Sequence, residues 1–424
     1  MHAIRMGTHA EKDYFHRAFP WYDEVVLNAN LVEATAAASA AFLAVLAKPY
    51  MIDPVTYAFG QPTHYLVNPR RGEVKKTFRS LANEYGDFVA TRLSSETPLT
   101  YGDFASDATL TGFAERVLAY QEDRLPRAWE QNQVFLEPGT PYVPPVRVLA
   151  PYFFNDRSRL WLELNRRLGE VSRVLLQEPT SLWIPICFDG LLLGEPEELQ
   201  LIIDAYASLS TDGYLFWPTD FEETRATVPQ IRGLRQLADG LCDENRPGVM
   251  FYGGYFSALL RAEGVVGISH GVGYGEKRDV VPVVGGGLPP AKYYLPAIHD
   301  DITMSELLSL TESMNEQEFR LRICDCTICR GLLERGGVSA LRTEFGETEE
   351  RPYGLGYRFV PTARVYRLTR FHYIESKHRE LAEIENRQPA WLLEQLTRAH
   401  QEFSRFLGYS RLVYLLRWNE GLAS

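Results

Sequence analysis

The chain has 424 residues, 45% of them hydrophobic and 23% charged, with a formal net charge of −11. That length can bury a large core, either as two domains or as one barrel with attachments. The acidic balance excludes a protein that coats nucleic acid by bulk attraction but leaves room for a local basic groove. Pro69-Arg70-Arg71-Gly72 with Lys75-Lys76, and the arginines between Arg364 and Arg379, are the two basic patches, and such runs are more often solvated faces.

No targeting signal is visible in the polar stretch Met1–Tyr14. The apolar run Ala34–Ala47 starts too late for a signal peptide and is too short to cross a bilayer, so no membrane contact is expected. Five cysteines are an odd number, which argues against a disulfide framework and for a reducing, cytoplasmic setting.

In chain order, Glu24–Leu31 reads as a strand and Val32–Lys48 as a helix, followed by an apolar strand over Tyr50–Phe59 that Asp53-Pro54 interrupts. The stretch from Gly60 to Tyr142 is polar and mainly helical, with Phe113–Gln121 its clearest amphipathic piece; a turn-rich connector opens at Glu137. A regular alternation then begins. Strands are predicted at Val146–Phe154, Leu182–Phe188, Gly213–Trp217, Val249–Tyr252, Val265–Ser269 and Tyr293–Ile298. Helical patterns separate the first five of them at Arg157–Leu176, Pro196–Leu209, Val228–Cys242 and Tyr255–Ala262.

Continuous apolar strands imply a parallel sheet buried on both faces, and eight of them with intervening helices is the count of a (β/α)8 TIM-type barrel. An open doubly wound sheet is the other reading. The barrel is expected over residues 1–310, with an N-terminal extension and a helical insertion at about 60–142, and a zinc-binding subdomain with C-terminal helices over 311–424.

Barrel sites lie at the carboxyl ends of the strands. The polar residues there are Asn28, Asn30, Asp53, Asn155-Asp156, Asp189, Asp220, Gly253-Gly254, Ser269-His270 and Glu276. Each is as readily a cap or loop residue as a functional one. Asp53 stands apart, because an unpaired carboxylate at the end of an apolar strand is costly; burial would suit it to proton transfer. Strand–Gly253-Gly254–helix would let a ligand approach backbone and helix N-terminus closely, unless it is only a tight turn. Further glycines cluster at Gly264–Gly275 and Gly285–Gly287. No dinucleotide or P-loop spacing is present. His299 is expected to be structural, and His270 is open between structure and site.

Cys324-Asp325-Cys326-Thr327-Ile328-Cys329 is a C-x-C-x-x-C run, and His372 and His378 follow on a later segment. Three thiolates that close need a cation among them, and Zn²⁺ with one nitrogen ligand closes a tetrahedron. Cys324, Cys326, Cys329 and His372 are therefore the expected zinc ligands, with His378 as the alternative fourth.

A barrel with C-x-C-x-x-C and a later histidine-bearing helix resembles the tRNA-guanine transglycosylase family, whose zinc subdomain is attached late in the barrel. Val26-Leu27-Asn28-Ala29-Asn30-Leu31 resembles a family strand ending in Asn-Thr-Tyr-His-Leu, and Tyr50-Met51-Ile52-Asp53 the next one, whose aspartate opens Asp-Ser-Gly-Gly. Phe251-Tyr252-Gly253-Gly254, a helix and Gly264–Ser269 follow the order of its later strand–turn–helix–strand unit. The departures are Pro54-Val55-Thr56 in place of Ser-Gly-Gly, Ser269 at the position of the nucleophilic aspartate, and a longer interval from Cys329 to His372. Gly190–Glu195 looks like the family's pocket loop but falls one strand too early.

The resemblance implies exchange of a guanine-type base in RNA or DNA for a 7-deazaguanine. One carboxylate attacks the anomeric carbon and a second group moves protons. Asp53 would fill one role and Asp220, Asp189 or Glu276 the other, with Asn28, Asn30, Tyr57, Gly253, Gly254, Ser269, His270 and Glu276 shaping the pocket. Tyr57, Phe59 and Trp217 are the aromatic residues on which a flipped base would stack. The competing readings are a non-catalytic barrel that binds nucleic acid or partners an active subunit, and an unrelated zinc-stabilised barrel enzyme with a small-molecule substrate. A homodimer is compatible with either transglycosylase-related reading.

Overall fold

The computed structural model describes residues 1–68, 70–132, 144–176, 179–273, 275–281, 290–354 and 356–423. Eight parallel strands form one sheet: β1 (His2–Met6), β2 (Glu24–Asn28), β3 (Tyr50–Asp53), β4 (Val148–Leu149), β5 (Leu182–Asp189), β6 (Gly213–Thr219), β7 (Gly248–Met250) and β8 (Val265–Gly271). Their order is β3-β2-β1-β8-β7-β6-β5-β4, so β1 lies between β2 and β8 and the sheet curls back on itself. The Val146 N–H, just ahead of β4, donates to the Tyr50 carbonyl of β3 at 2.9 Å and nearly closes the ring. This is the (β/α)8 barrel that the alternation predicts.

One strand is not where the sequence pattern places it. Tyr293–Ile298 is the predicted eighth strand; instead Lys292–Leu295 pairs antiparallel with Asp300–Thr303, outside the barrel. The strand that takes its place is β1, inside the stretch that reads as a polar N-terminal extension. His2-Ala-Ile-Arg-Met6 is short and carries two polar residues, yet all five are buried because neighbours on both edges pair with it.

Helices α1 (Ala29–Leu46), α2 (Asp107–Asn132), α3 (Arg159–Leu175), α4 (Pro196–Ala207) and α5 (Val228–Leu241) lie around the barrel. By length and composition α1 meets the measure of a membrane span, at a mean hydropathy of 1.6. It kinks at Thr35 and packs Val32, Phe42, Leu43 and Leu46 into the core. Its alanines make it a helix that can lie close to the sheet. A short helix, α6 (Tyr255–Leu259), follows β7.

Beyond the barrel, α7 (Thr327–Phe345) bends at Gly336 and Gly337, where the second residue takes φ +64°. A hairpin, Thr348–Tyr353 with Gly356–Pro361, then leads into α8 (Ala363–Asn386). That hairpin accounts for the long interval between Cys329 and His372. Finally α9 (Pro389–Leu407) and α10 (Tyr409–Ala423) form an antiparallel pair, and α10 packs on α5, with the Trp418 indole N–H donating to the Glu223 carbonyl at 2.9 Å. Gly285–Gly287 and most of the connector after Glu137 lie outside the described residues.

Candidate metal centre and barrel-mouth site

Cys324, Cys326, Cys329 and His372 come together in a buried cluster able to hold a metal ion, their ligand atoms all within 4.8 Å of one another. Cys326 caps α7, accepting the Cys329 N–H at 3.3 Å, and Cys324 accepts the Cys326 N–H at 3.3 Å. The tight turn into α7 therefore aims three sulfurs at one point. His372 Nδ1 completes the set at 3.7, 3.3 and 3.6 Å from the three sulfurs. Its other nitrogen donates to the Tyr294 carbonyl at 2.6 Å, which fixes the tautomer and leaves Nδ1 as the ligand atom. Tyr293 stacks on the imidazole at 4.1 Å and its hydroxyl meets Cys329 Sγ at 3.3 Å. His378, the alternative ligand, faces away and stacks on His2.

Without a cation the thiols would be driven apart in acidity. Hydrogen bonds from Cys326 and Cys329 pull Cys324 well below its ordinary range, while burial pushes Cys326 and Cys329 up. A dication removes that conflict by taking all three as thiolates.

At the barrel mouth Asp53 is fully buried but not unpaired. Arg5 Nη2 lies 3.1 Å from its Oδ2, while the Val55 N–H and the Tyr152 hydroxyl donate to Oδ1 at 3.0 and 2.8 Å. The expectation of an uncompensated carboxylate fails because β1, which the sequence pattern does not mark as a strand, brings Arg5 beside it. The Arg5 guanidinium in turn lies over the rings of Phe251 and Tyr252, at 4.1 and 4.3 Å.

Several other expected site residues serve the fold. Asp189 caps the turn after β5 by accepting the Leu191 N–H at 3.0 Å, and Asp220 sits exposed in a left-handed turn beside Lys277. Neither lines the two cavities at the mouth. His270 points outward from β8, because side chains alternate along a strand. Its Nε2 meets His2 Nε2 at 2.7 Å, its Nδ1 donates to the Gly271 carbonyl, and burial lowers its pKa to about 4. Ser269 points inward but pairs with Ala3, two residues below the level of Arg5. Tyr57 packs against Tyr152 and Trp217, so that aromatic cluster is filled core and not an open platform. His299 meets Glu380 at 2.7 Å and stacks on Tyr255, and it also lines the smaller of the two cavities at the mouth.

Gly253-Gly254 is expected from the sequence to present a helix N-terminus to a ligand. A protein carboxylate takes that place: Glu223 accepts the Gly254, Phe256 and Ser257 N–H groups at 2.7, 2.8 and 3.1 Å. A Cβ on Gly254 would run into both Glu223 and Glu276, which explains the glycine.

Two cavities open at the mouth. The larger, about 590 Å³, is lined by Asn28 and Asn30 and by Arg5, Lys277, Arg278 and Arg370. The smaller, about 210 Å³, lies between barrel and C-terminal helices and holds Glu223, Glu276, Asp300 and Asp301 with Lys292 and Tyr294. Lys277 lines both, so Glu276-Lys277-Arg278 runs along their shared wall.

Glu276 receives the Lys377 ammonium at 2.8 Å and the Tyr373 hydroxyl at 2.8 Å, both from α8. Burial opposes charge on Lys377, but Glu276 and Glu380 outweigh it and hold its pKa above the ordinary range. Asp301 sits in the same cavity with its pKa raised to about 7, first by burial and then by the Glu276 charge. The sequence offers no sign of Arg5, Lys377 or Asp301, since each acquires its role from a partner distant in the chain. No family model matches the chain, and no curated protein matches it.

Proposed function

We propose that the chain is a transglycosylase-like enzyme that exchanges or removes a guanine-type base in RNA or DNA at the barrel mouth. The observation that carries this reading is the carboxylate pair in the smaller cavity. Glu276 is held by a buried lysine and a tyrosine, and Asp301 is poised near neutrality. A double displacement requires a carboxylate nucleophile and a second group that gives and takes a proton, and two carboxyls in unlike environments can divide those roles. In this reading Glu276 attacks the anomeric carbon and Asp301 protonates the departing base. Asp53 becomes the anchor of Arg5.

Zinc is the ion we assign to the Cys3His cluster. A tetrahedron with Zn–S of about 2.3 Å and Zn–N of about 2.0 Å has S···N edges of about 3.5 Å, and the observed separations of 3.3 to 3.7 Å fit it. Four protein ligands leave no open position, so the ion's part is structural: it ties α7 to α8, the helix that delivers Lys377 and Tyr373. The turn after β3 also supports the resemblance. Val55 stands where the family has glycine and keeps a left-handed φ of +58°, a conformation that favours glycine.

A second reading has its own support. Asp53 is neutralised by Arg5, and Ser269 replaces the family nucleophile, which favours a barrel that binds nucleic acid or partners an active subunit. The test is a labelled-guanine exchange assay on RNA and DNA with the parent and Glu276→Gln. The enzymatic reading expects exchange in the parent and a loss of about a thousandfold or more in the variant, with metal content unchanged. No exchange by the parent on any nucleic acid offered would transfer the assignment to the second reading.

A further inference from the structure

We propose that the larger cavity is a binding site for a phosphate ester, with Arg5 at its floor. The inference does not rest on base exchange, and a protein that exchanged nothing would still bind there.

Arg5 is the first support. Its side chain is only 8% exposed, Asp53 takes Nη2, and Phe251 and Tyr252 hold the guanidinium plane. Nη1 is sealed from solvent with no hydrogen-bond partner among the described residues, so Arg5 lines the cavity with the rest of its side chain. A guanidinium held in place by Asp53 and two rings is a fixed positive charge at the cavity floor, which suits the oxygens of phosphate.

Charge is the second support. Lys277, Arg278 and Arg370 join Arg5 around the cavity, against one acidic lining residue, Glu11; Arg5 also pairs with Asp53 and Lys277 with Glu222 at 2.8 Å, so Arg278 and Arg370 carry most of the local excess. Glu11 is already engaged by the Gly7 and Thr8 N–H groups at 2.7 and 3.2 Å. In a chain of net charge −11 this excess of cations is local, so it marks a place and not a general property.

Backbone is the third. Asn28 and Asn30, at the start of α1, line one side of the cavity. Gly271, Gly273 and Gly275, after β8, form the facing wall. A Cβ on Gly275 would strike Gly271, and one on Gly273 would press on Arg370 at 3.3 Å, so the loop lies close to the cation. Loops after the last strands are where (β/α)8 barrels commonly hold phosphate. The volume suits a nucleotide-sized ligand, within the roughly 300–1,000 Å³ of small-molecule sites.

Two sources offer this chemistry, a free nucleotide or an internal phosphate of a strand. Calorimetric titration of the full-length, metal-replete protein with guanosine, guanosine 5′-monophosphate, pyrophosphate and a short single-stranded oligonucleotide separates them. The monophosphate binding at least about tenfold tighter than guanosine assigns a free nucleotide; preference for the oligonucleotide assigns a strand phosphate. In either case Arg370→Ala and Lys277→Ala, at the rim, should each weaken binding several-fold. Arg5→Lys, which keeps a charge beside Asp53 but loses the guanidinium plane fixed over Phe251 and Tyr252, should weaken it several-fold as well. The proposal is overturned if no phosphate-bearing probe binds, if guanosine and its monophosphate bind alike with no oligonucleotide preference, or if the rim variants leave binding unchanged. It is also overturned if succinate competes as well as pyrophosphate.

Discussion

The metal centre and the barrel mouth are both buried polar clusters, and they are balanced in opposite ways. Around Cys324, Cys326, Cys329 and His372 four buried ligand atoms converge within 4.8 Å of one another, a set able to hold a metal ion. At the mouth the buried charges have protein partners: Arg5 with Asp53, Lys377 with Glu276 and Glu380, and His299 with Glu380. The first cluster is arranged as a set of ligands for an ion, and the second is arranged as pairs of opposite charge. Removing a metal should therefore be felt at one, and removing a single side chain at the other.

The largest expected effect is at the metal centre. Cys326→Ser, or exhaustive chelation, should abolish stoichiometric zinc and cost about 5 kcal/mol or more, since metal binding there is folding free energy. Loss should appear first as protease sensitivity over α7 and α8, with the barrel resistant longer. Metal analysis of the parent that finds no ion near one per chain would dissolve the contrast between the two clusters.

Next comes the buried lysine. Lys377→Met leaves Glu276 without its cation and Glu380 with His299 and the Tyr294 hydroxyl, and breaking a buried pair from one side costs about 3–5 kcal/mol. Adding Glu276→Gln should recover part of that loss in denaturant unfolding. If the double variant is no better than the single one, Lys377 stabilises through its stem and not through its charge.

The same contrast explains what could be read in the sequence. The metal ligands were legible because three of them fall within six residues, and three thiols at that spacing have few uses besides holding a metal. Seven barrel strands were legible because a strand buried on both faces must be apolar throughout, as in Leu182–Asp189 and Gly213–Thr219. β1 was not, since its polar residues are offset by tertiary partners: His270 for His2 and Asp53 for Arg5. Helix α8 hid its role in the same way. Tyr373, Lys377 and Glu380 read as an ordinary polar helix face, and only packing against the mouth makes them a brace. Polar residues at strand ends name candidates; the partner across space decides which are caps, anchors or acids.

Asp53 sharpens that distinction. Asp53→Asn keeps shape and most hydrogen bonding but leaves Arg5 buried without a counter-charge, so a loss of about 2–3 kcal/mol is expected. Arg5→Met with Asp53→Leu should be markedly less destabilising than Asp53→Asn relative to the number of groups changed, because no charge is stranded. Zinc content should be unaffected in both. An Asp53→Asn protein as stable as the parent that has lost base exchange would return Asp53 to the role of catalyst.

The smallest effect concerns Asp301 and is read through pH. Its carboxyl is raised from an ordinary 3.8 to about 7 in the folded chain, chiefly by burial and then by Glu276. Between those two values the folded state holds a proton that the unfolded state has released. Folding stability from this group is therefore complete below about pH 4 and is lost as pH rises through 7, a change on the order of 1 kcal/mol or more. Glu24, raised to about 6 by burial, slopes the same way, so the parent's profile alone does not isolate Asp301. Asp301→Asn does: the variant should lose stability less steeply than the parent between pH 5 and pH 8 in matched urea unfolding, with the gap closing at the acid end. In the exchange assay the parent's rate should fall as Asp301 loses its proton near pH 7, while any residual rate of the variant should be flat there. Parallel stability profiles for the two proteins would place the proton elsewhere and remove Asp301 from the proposed pair.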